Sequence, residues 1–192
     1  MLPKLAPFLS RCADALFLPL QLVFLDGIQG IRDVQGVLEG RAPLGVDFNS
    51  PRTPIHILHS SIPVADQQAV FEPKVPGERR IILATNIAET SITIPDVVYV
   101  VDSVRVKEKR YDSSKHLSSL VSAWVGQSNL NQRAGRAGRH REGVYYGVIS
   151  RARLAALDPY ALVEMKRSDL SNVIMHIKVS VHEQARMTTA RH

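Results

Sequence analysis

The sequence contains a single cysteine, Cys12, among its 192 residues. One thiol forms neither an internal disulfide nor a cysteine-rich zinc site, and the seven histidines lack the spacing of metal ligands. The longest apolar run, residues 15–25, includes Pro19 and Gln21 and is well short of the roughly 20 residues that cross a bilayer. We therefore expect no metal site, no membrane contact and an intracellular location, in the nucleus or cytoplasm.

The N-terminal segment carries a faint likeness to a secretory signal. Ser10, Arg11 and Asp14 interrupt its apolar stretch, so we expect no export. Residues 1–20 fit a short amphipathic helix. We assign this segment to no domain.

Positive charge is concentrated in one part of the chain. Lys and Arg number 24 against 18 Asp and Glu, for a net charge of +6. Residues 103–141 hold nine basic and only two acidic residues, a local excess of +7. Such a block favours a polyanionic partner such as nucleic acid or nucleotide phosphate. A solvated basic loop explains the charge equally well, so charge alone leaves both interpretations open.

Short apolar runs alternate with helical patterns along most of the chain. The runs occupy residues 21–25, 53–61, 79–86, 97–103 and 144–150. This alternation predicts an α/β fold, a parallel sheet with helices on both faces. Ligands of such sheets bind at the carboxyl ends of the strands. Four predicted ends carry small or polar candidate contact groups: Asp26-Gly27, His59-Ser60-Ser61, Thr85-Asn86 and Asp102-Ser103.

Two segments depart from this alternation of strand and helix patterns. Residues 104–125 alternate apolar with charged side chains around a DSSKH turn, which predicts a β-hairpin. Residues 151–178 have a helical pattern broken at Pro159, and the polar tail from 182 onward predicts a frayed end.

The strongest pattern is QRAGRAGR, residues 132–139, in which Arg133, Arg136 and Arg139 recur every third position. On a helical turn this spacing brings the guanidinium groups to roughly one face. Guanidinium forks suit phosphate oxygens. Gly135 and Gly138 cost about 2 kcal/mol of helix propensity relative to alanine. A helix that is only solvated has no interaction that compensates for this free-energy cost, so we interpret the segment as a phosphate site.

A polar segment, ATNIAETSITIPDV at 84–97, follows the third predicted strand. It surrounds one acid, Glu89, with hydroxyl and amide side chains: Thr85, Asn86, Thr90, Ser91 and Thr93. Such side chains donate to backbone phosphates without reading bases. A helix N-cap at Thr85 or Asn86 explains the same residues. The chemistry leaves both interpretations open.

Taken together, these motifs resemble the second RecA-like domain of a DEAH-box (DExH, RNA helicase A-like) ATP-dependent RNA helicase, a lobe of the P-loop NTPase superfamily. LVFLDGIQGI resembles motif IV, TNIAETSITI motif V and QRAGRAGR motif VI, in order over about residues 20–155. The resemblance implies a RecA-like domain at 21–157 with an inserted hairpin at about 104–125. Residues 158–192 resemble the beginning of a winged-helix domain.

The resemblance also implies the residues that bind ATP. Gln132, Arg136 and Arg139 match positions that contact phosphates, with the two arginines as catalytic arginine fingers. Phe71 matches the residue that stacks on adenine, although a core phenylalanine on a short helix is an alternative. Two motif V residues, Ser91 and Thr93, match its nucleotide-facing side. Pro95 replaces an acid common near the ribose, so Asp96 is the candidate for that contact.

Other matched positions lie near the RNA backbone in this family. They are Gly27, Ser60, Ser61, Thr85 and Asn86, with Arg105 and Lys107 on the hairpin. One departure is Asp26, since LVFLDG stands where LVFLPG or LVFLTG is common and sets an acid facing RNA phosphate.

The sequence has neither G-x-x-x-x-G-K-[ST] nor Asp-Glu-x-His. The lysine and acids that hold ATP and Mg²⁺ are therefore expected in the missing first RecA-like lobe of a longer protein, or the chain is a truncated product. We predict a motor lobe whose partners are single-stranded RNA or an RNA duplex and that first lobe, and an isolated chain without ATP hydrolysis. The alternatives are a non-catalytic nucleic-acid-binding or interaction module, and a lobe of a related DNA helicase.

Overall fold

A computed structural model of the chain describes residues 20–41, 47–73, 75–90, 93–139 and 142–189. The predicted N-terminal helix and Ser91 therefore lie outside the described residues. The strands are β1 Leu20–Phe24, β2 Ile55–Leu58, β3 Ile81–Ala84, β4 Val97–Asp102, β5 Arg105–Asp112, β6 Leu117–Trp124 and β7 Val144–Gly147. The helices are α1 Ile28–Arg41, α2 Val64–Gln68, α3 Ile87–Thr90, α4 Gln127–Ala134, α5 Arg151–Ala155 and α6 Ser171–Thr189.

Five strands form one parallel sheet in the order β2-β3-β1-β4-β7, which confirms the predicted α/β class. Their carboxyl ends are in register. Phe24 pairs with Ala84 on one side and Asp102 on the other, Leu58 pairs with Ala84, and Gly147 pairs with Asp102. The segments that follow the strands therefore leave the sheet along a single edge.

Both faces of the sheet are covered, because the strands consist almost entirely of apolar residues. On one face, Ile31, Val34 and Leu38 of α1 pack against Val23 of β1 and Val101 of β4. The opposite face has its own core, which joins the strands to α3, to the loop after α3 and to the turn after α2: Leu22, Phe24, Ile82, Ala84, Val100, Ala88, Ile94 and Val70. Because both faces of the sheet pack against a core, the strands are fixed in position, and so is the edge that their carboxyl ends form.

The predicted hairpin is present as a separate two-stranded sheet of β5 and β6. By internal contacts the chain divides into two units, 1–107 with 122–161, and 108–121 with 162–192. The first unit contains the parallel sheet and the hairpin base. In the second, Tyr111 N donates to Arg167 O at 2.8 Å, and Arg167 Nη1 donates to Lys109 O at 3.2 Å.

The C-terminal segment differs from the expected frayed tail, because α6 continues to Thr189. Residues 171–189 contain neither glycine nor proline, so no residue in this stretch terminates the helix. Asp169 accepts from both the backbone N and the hydroxyl of Ser171 where the helix begins. The winged-helix assignment of 158–192 stays a prediction. No helix in the described part of the chain is long and apolar enough to span a membrane.

Candidate nucleotide and nucleic-acid site

Arg133, in the last turn of α4, lies completely buried at the carboxyl edge of the sheet. Its Nε donates to Glu89 Oε2 at 3.0 Å, and its Nη1 donates to Asp102 Oδ1 at 2.9 Å. The guanidinium carbon lies 4.9 Å from the centre of the Phe24 ring. A buried guanidinium is tolerated when it is paired and hydrogen-bonded in this way. Arg133 thereby ties α4 to α3 and to the end of β4.

Asp102 completes this network at the end of β4. Its Oδ1 also accepts from the backbone N of Val104 at 2.7 Å, and its Oδ2 accepts from the Tyr145 hydroxyl at 2.9 Å. Burial, followed by the nearby Asp102 charge, raises the pKa of Tyr145 far above its ordinary value. Asp102 and Ser103 are both buried, which removes this pair from the contact groups expected at the sheet edge.

Glu89 connects the two polar motifs. Its carboxylate accepts from Arg133 and, at 2.5 Å, from Asn129 Nδ2. Its backbone carbonyl accepts from Arg136 Nε at 3.1 Å and from a second nitrogen of the same guanidinium. The segment 84–97 and the arginine motif are thus held together at one residue, which sequence spacing alone did not indicate.

Arg136 is 4% exposed, whereas Arg139 lies on the surface. Burial, and then the positive charge of Arg139, lower the pKa of Arg136, and Glu89 opposes the shift. Arg139 Nη1 donates to Thr93 Oγ1 at 3.3 Å, and it makes no ion pair with any described residue.

The three arginines do not share one helical face. Helix α4 ends at Ala134, and the chain turns through residues 135–138 with Gly138 at a φ of 86°. That conformation is the left-handed region, which glycine adopts without a steric penalty. Arg133 therefore lies on the helix, Arg136 in the turn and Arg139 after it; the first two are buried and the third is exposed.

Gln132 and Asp96 are both exposed. Gln132 lines an open cleft of about 550 Å³ whose other lining residues are Gln127, Ser128, Asn131, Pro159 and Tyr160. Neither Arg136 nor Arg139 belongs to that lining, so Gln132 is not brought into the same cavity as the arginines. Asp96 has a φ of 60° in the loop that leads into β4.

Phe71 is 41% exposed in the turn after α2, so the alternative that it is a core residue is wrong. The Arg80 side chain holds this turn in place, a role that the sequence did not indicate. Arg80 Nη1 donates to the carbonyls of Ala69, Val70 and Glu72, at 3.2, 3.4 and 2.7 Å.

A carboxylate fixes Arg80 in turn. Its Nε donates to Glu78 Oε1 at 2.7 Å, and Glu78 Oε2 accepts from Val75 N at 2.9 Å. Desolvation raises the pKa of Glu78, but the hydrogen bonds from Arg80 and Val75 outweigh it and leave the pKa below its ordinary value. The one sequence signal for this cluster is the basic pair 79–80 directly before an apolar strand.

The hairpin base is attached to the loop after β1. Lys107 N donates to Asp26 O at 3.0 Å, and the Ser122 hydroxyl donates to Asp26 Oδ2 at 2.9 Å. The Lys107 side chain lies over Gly27, where an added Cβ would stand 3.0 Å from Lys107 Cδ. The structure thus brings Gly27 and Lys107 together. Asp26, which departs from the family pattern, forms part of the hairpin attachment.

The ends of β2 and β3 supply hydroxyl and amide groups. Ser60, Ser61 and Asn86 are exposed, and Thr85 is 8% exposed. His59 Nδ1 lies 2.7 Å from Ser61 Oγ and accepts from the backbone N of Ser61 at 3.0 Å. Burial lowers the pKa of His59, which favours the neutral ring. A neutral ring that accepts through Nδ1 fixes the loop that presents the two serines.

The donors at this edge are guanidinium, hydroxyl and amide groups, which bind phosphate oxygens. Mg²⁺ instead requires oxygen ligands such as carboxylates. Within the described ranges, no three His, Cys, Asp or Glu side chains come together as a metal site. The arrangement therefore fits the phosphates of a nucleotide and of a nucleic-acid backbone.

Comparison with known proteins gives a consistent result. The family described as the helicase conserved C-terminal domain matches residues 23–141. The chain is 43% identical over 159 residues to the DExH-box ATP-dependent RNA helicase DExH6 of Arabidopsis thaliana, covering 82% of this chain and 12% of that protein. It is 42% identical over 158 residues to the ATP-dependent DNA/RNA helicase DHX36 of Rattus norvegicus, covering 82% and 15% respectively.

Among solved structures, the Escherichia coli DEAH/RHA helicase HrpB is similar to this fold. The match has a TM-score of 0.79 at 30% identity and covers 91% of this chain and 21% of that one. The chain spans 12% and 15% of the length of the two curated relatives above. It therefore belongs to the helicase conserved C-terminal domain family, as the C-terminal, RecA-like lobe of a DExH-box helicase.

Proposed function

We propose that this lobe works in a longer ATP-dependent RNA helicase, where it supplies arginine fingers to ATP and backbone contacts to single-stranded RNA. The observation that carries the proposal is the surface position of Arg139, which donates to the Thr93 hydroxyl and makes no ion pair with a described residue. In the same motif, the Arg136 guanidinium is buried and fixed on the Glu89 carbonyl. A nucleotide phosphate is an anion that guanidinium forks bind well.

On the nucleotide side, Arg139 is the accessible finger and Arg136 the buried one beside it. A finger acts by neutralising charge that develops on the transferred phosphoryl group. Thr93 orients Arg139, whereas Gln132 lines a separate cleft and would need a movement of the motif to reach the same phosphates. Phe71 supplies an exposed ring for adenine, and Asp96 is the proposed ribose contact.

Mg²⁺ belongs to the first lobe in this proposal. The described residues of this chain offer cationic and neutral donors at the proposed nucleotide side rather than a carboxylate cluster. Mg²⁺ held by the first lobe would supply positive charge that offsets part of the charge of the phosphates. In this proposal, the present chain binds, orients and shields the side of the nucleotide that faces away from the first lobe.

On the RNA side, the proposed groups follow the ends of β1, β2 and β3 and the hairpin base, where Ser60, Ser61 and Asn86 are exposed and Gly27 and Thr85 are buried. Gly27, Ser60, Ser61, Thr85 and Asn86 are the proposed backbone contacts, with Arg105 and Lys107 adding charge. Contacts of this kind position a strand without reading its sequence. We propose that the hairpin guides or separates strands as the lobe moves.

The contacts of Glu89 connect the proposed nucleotide side to the proposed RNA side. Arg133 and Arg136 both meet Glu89, and Arg133 Nη1 also donates to the carbonyl of Arg105 on the hairpin at 3.2 Å. A shift of the arginine motif on nucleotide binding would therefore act directly on the start of the hairpin.

A lobe of a DNA helicase is the second candidate, and one observation favours keeping it. The rat relative is described as a DNA/RNA helicase. Phosphate contacts hardly distinguish the two sugars, since the 2′-hydroxyl carries that distinction. Parallel measurements with RNA and DNA strands of the same sequence separate the candidates.

The test is a reconstitution. The 192-residue chain alone is expected to hydrolyse no ATP, with or without RNA. Fused behind the first lobe of a DExH helicase, it should give ATP hydrolysis that single-stranded RNA stimulates. Hydrolysis by the isolated chain, or a fused protein that RNA never stimulates, would contradict the proposal. Stimulation by DNA alone would favour the second candidate.

A further inference from the structure

The last residue of β6, Trp124, holds two arginine side chains. Arg105 Cζ, at the start of β5, lies 4.5 Å from the centre of the indole ring. Arg153 Cζ, on α5, lies 5.7 Å from the same centre. Trp124 is 38% exposed. Guanidinium groups over an aromatic face at these distances make cation–π contacts, which hold them in place. We call Arg105, Trp124 and Arg153 the tryptophan–arginine cluster.

The cluster gathers positive charge without a direct counter-ion. Neither Arg105 nor Arg153 forms an ion pair with a carboxylate in the part of the chain that the structure describes. Arg105 Nε donates to the Ser122 hydroxyl at 3.3 Å, and that hydroxyl donates onward to Asp26. Among the described residues, Asp26 is linked to Arg105 through Ser122, and no carboxylate is linked to the Arg153 guanidinium in this way.

Two cations held on one ring repel each other, and an anion that both contact removes the repulsion. Their guanidinium carbons are at most about 10.2 Å apart, given their distances from the shared ring centre. A separation of this size is compatible with contacts from both groups to one strand, at one phosphate or at two successive phosphates. Two guanidinium groups already lie against the ring, so the donors that the cluster offers suit a phosphate better than a stacked base.

We propose that the tryptophan–arginine cluster is a phosphate-binding site for the single-stranded RNA backbone at the hairpin base. The inference rests on the proposed function and adds two residues, Trp124 and Arg153, to the RNA path. Its position supports RNA as the source of the phosphate, because Arg105 lies on the hairpin and its neighbour Lys107 covers Gly27. Trp124 is a positioning residue here, and Arg105 and Arg153 make the contacts.

The sequence offers a direct probe, since Trp124 is the only tryptophan in the chain. We would titrate the 192-residue chain with a 12-nucleotide oligouridylate and follow both tryptophan emission and the anisotropy of labelled RNA, from 25 to 200 mM salt. Arg153→Ala removes one proposed contact. Arg151→Ala is the matched control, because Arg151 is an exposed arginine on the same helix and does not contact the ring.

RNA should change Trp124 emission in the wild-type chain. Arg153→Ala should weaken binding about tenfold and lower the slope of log K against log salt by about 0.7, the value for one phosphate contact on a single strand. Arg151→Ala should stay within about twofold. Trp124→Phe should keep most of the affinity and Trp124→Ala should lose it, because only the aromatic ring holds the arginines.

Equal affinity and salt slope for Arg153→Ala and Arg151→Ala, with RNA binding intact, would overturn the site and leave the proposed function standing. Wild-type chain that binds no RNA even at 25 mM salt would overturn both. Arg153→Gln repeats the charge removal with a longer side chain, and circular dichroism confirms that each variant is folded. A loss shared by Arg153→Ala and Arg153→Gln in folded protein supports the site.

Discussion

Arg133 Nη1 lies 2.9 Å from Asp102 Oδ1, and both side chains are completely buried. The pair joins the arginine motif to the end of a central strand. The same Asp102 oxygen also accepts from Val104 N, next to the hairpin, and Glu89 holds the other side of Arg133. Arg133 is therefore the structural centre of the site, while Arg139 is the arginine that faces solvent.

Arg133→Ala should lower the free energy of unfolding of the chain by about 3 to 5 kcal/mol, because it leaves Glu89 and Asp102 buried without their cation. Urea denaturation followed by circular dichroism measures the change. Arg32→Ala, on an exposed face of α1, is the control and should have little effect. A loss below about 1 kcal/mol for Arg133→Ala would show that the buried pair contributes little.

The sheet could be predicted from the sequence because each of its strands is a short apolar run followed by polar residues. The geometry of the arginine motif could not be predicted in the same way. The three-residue spacing suggests one common face, yet the turn at Gly138 separates Arg139 from Arg136. Contacts such as Arg133 with Asp102 join residues 31 positions apart, and only the folded sheet brings them together.

Arg80 illustrates the same limit. No periodicity marks it, and its effect on Phe71 passes through three backbone carbonyls. In the fused helicase, Arg80→Met should raise the KM for ATP about tenfold with little change in kcat, because it loosens the turn that carries Phe71. Phe71→Ala should do the same, and Phe71→Tyr should keep the wild-type KM. An unchanged KM in folded Arg80→Met and Phe71→Ala would remove both residues from the nucleotide site.

His56 predicts a dependence of stability on pH. Burial, and then the charge of Arg80, lower its pKa, with Glu78 and Glu72 opposing, and its buried Nε2 has no hydrogen-bond partner among the described residues. The unfolded chain then binds a proton more readily than the folded chain, so stability falls as pH drops below about 6.5.

The measurement is urea denaturation at pH 7.5 and pH 5.5, on wild type and His56→Leu. Wild type should lose more stability between the two pH values than His56→Leu does. The range stays above the ordinary pKa of Glu, about 4.3, so carboxylates contribute little. Equal losses in both proteins would show that His56 does not titrate differently in the folded state.

Lys107 tests the separation of RNA contact from hydrolysis. In the fused helicase, Lys107→Ala should leave the basal ATPase rate unchanged and reduce its stimulation by RNA, because the Lys107 side chain lies over Gly27 on the proposed RNA side and carries a positive charge there. Lys178→Ala, an exposed lysine on α6, serves as the control. A fall in the basal rate of Lys107→Ala would place this lysine in the hydrolytic machinery instead.

The most direct measurement is the steady-state ATPase rate of the fused helicase carrying Arg139→Ala, beside Arg139→Lys and the Arg32→Ala control. We expect Arg139→Ala to lower kcat by about 10³-fold or more, since an arginine finger is worth 10³ to 10⁵ in rate. Arg139→Lys should restore little, because an ammonium cannot reproduce the planar fork. Arg139→Ala with kcat within about threefold of wild type, in folded and RNA-binding protein, would contradict the assignment of Arg139 to the nucleotide.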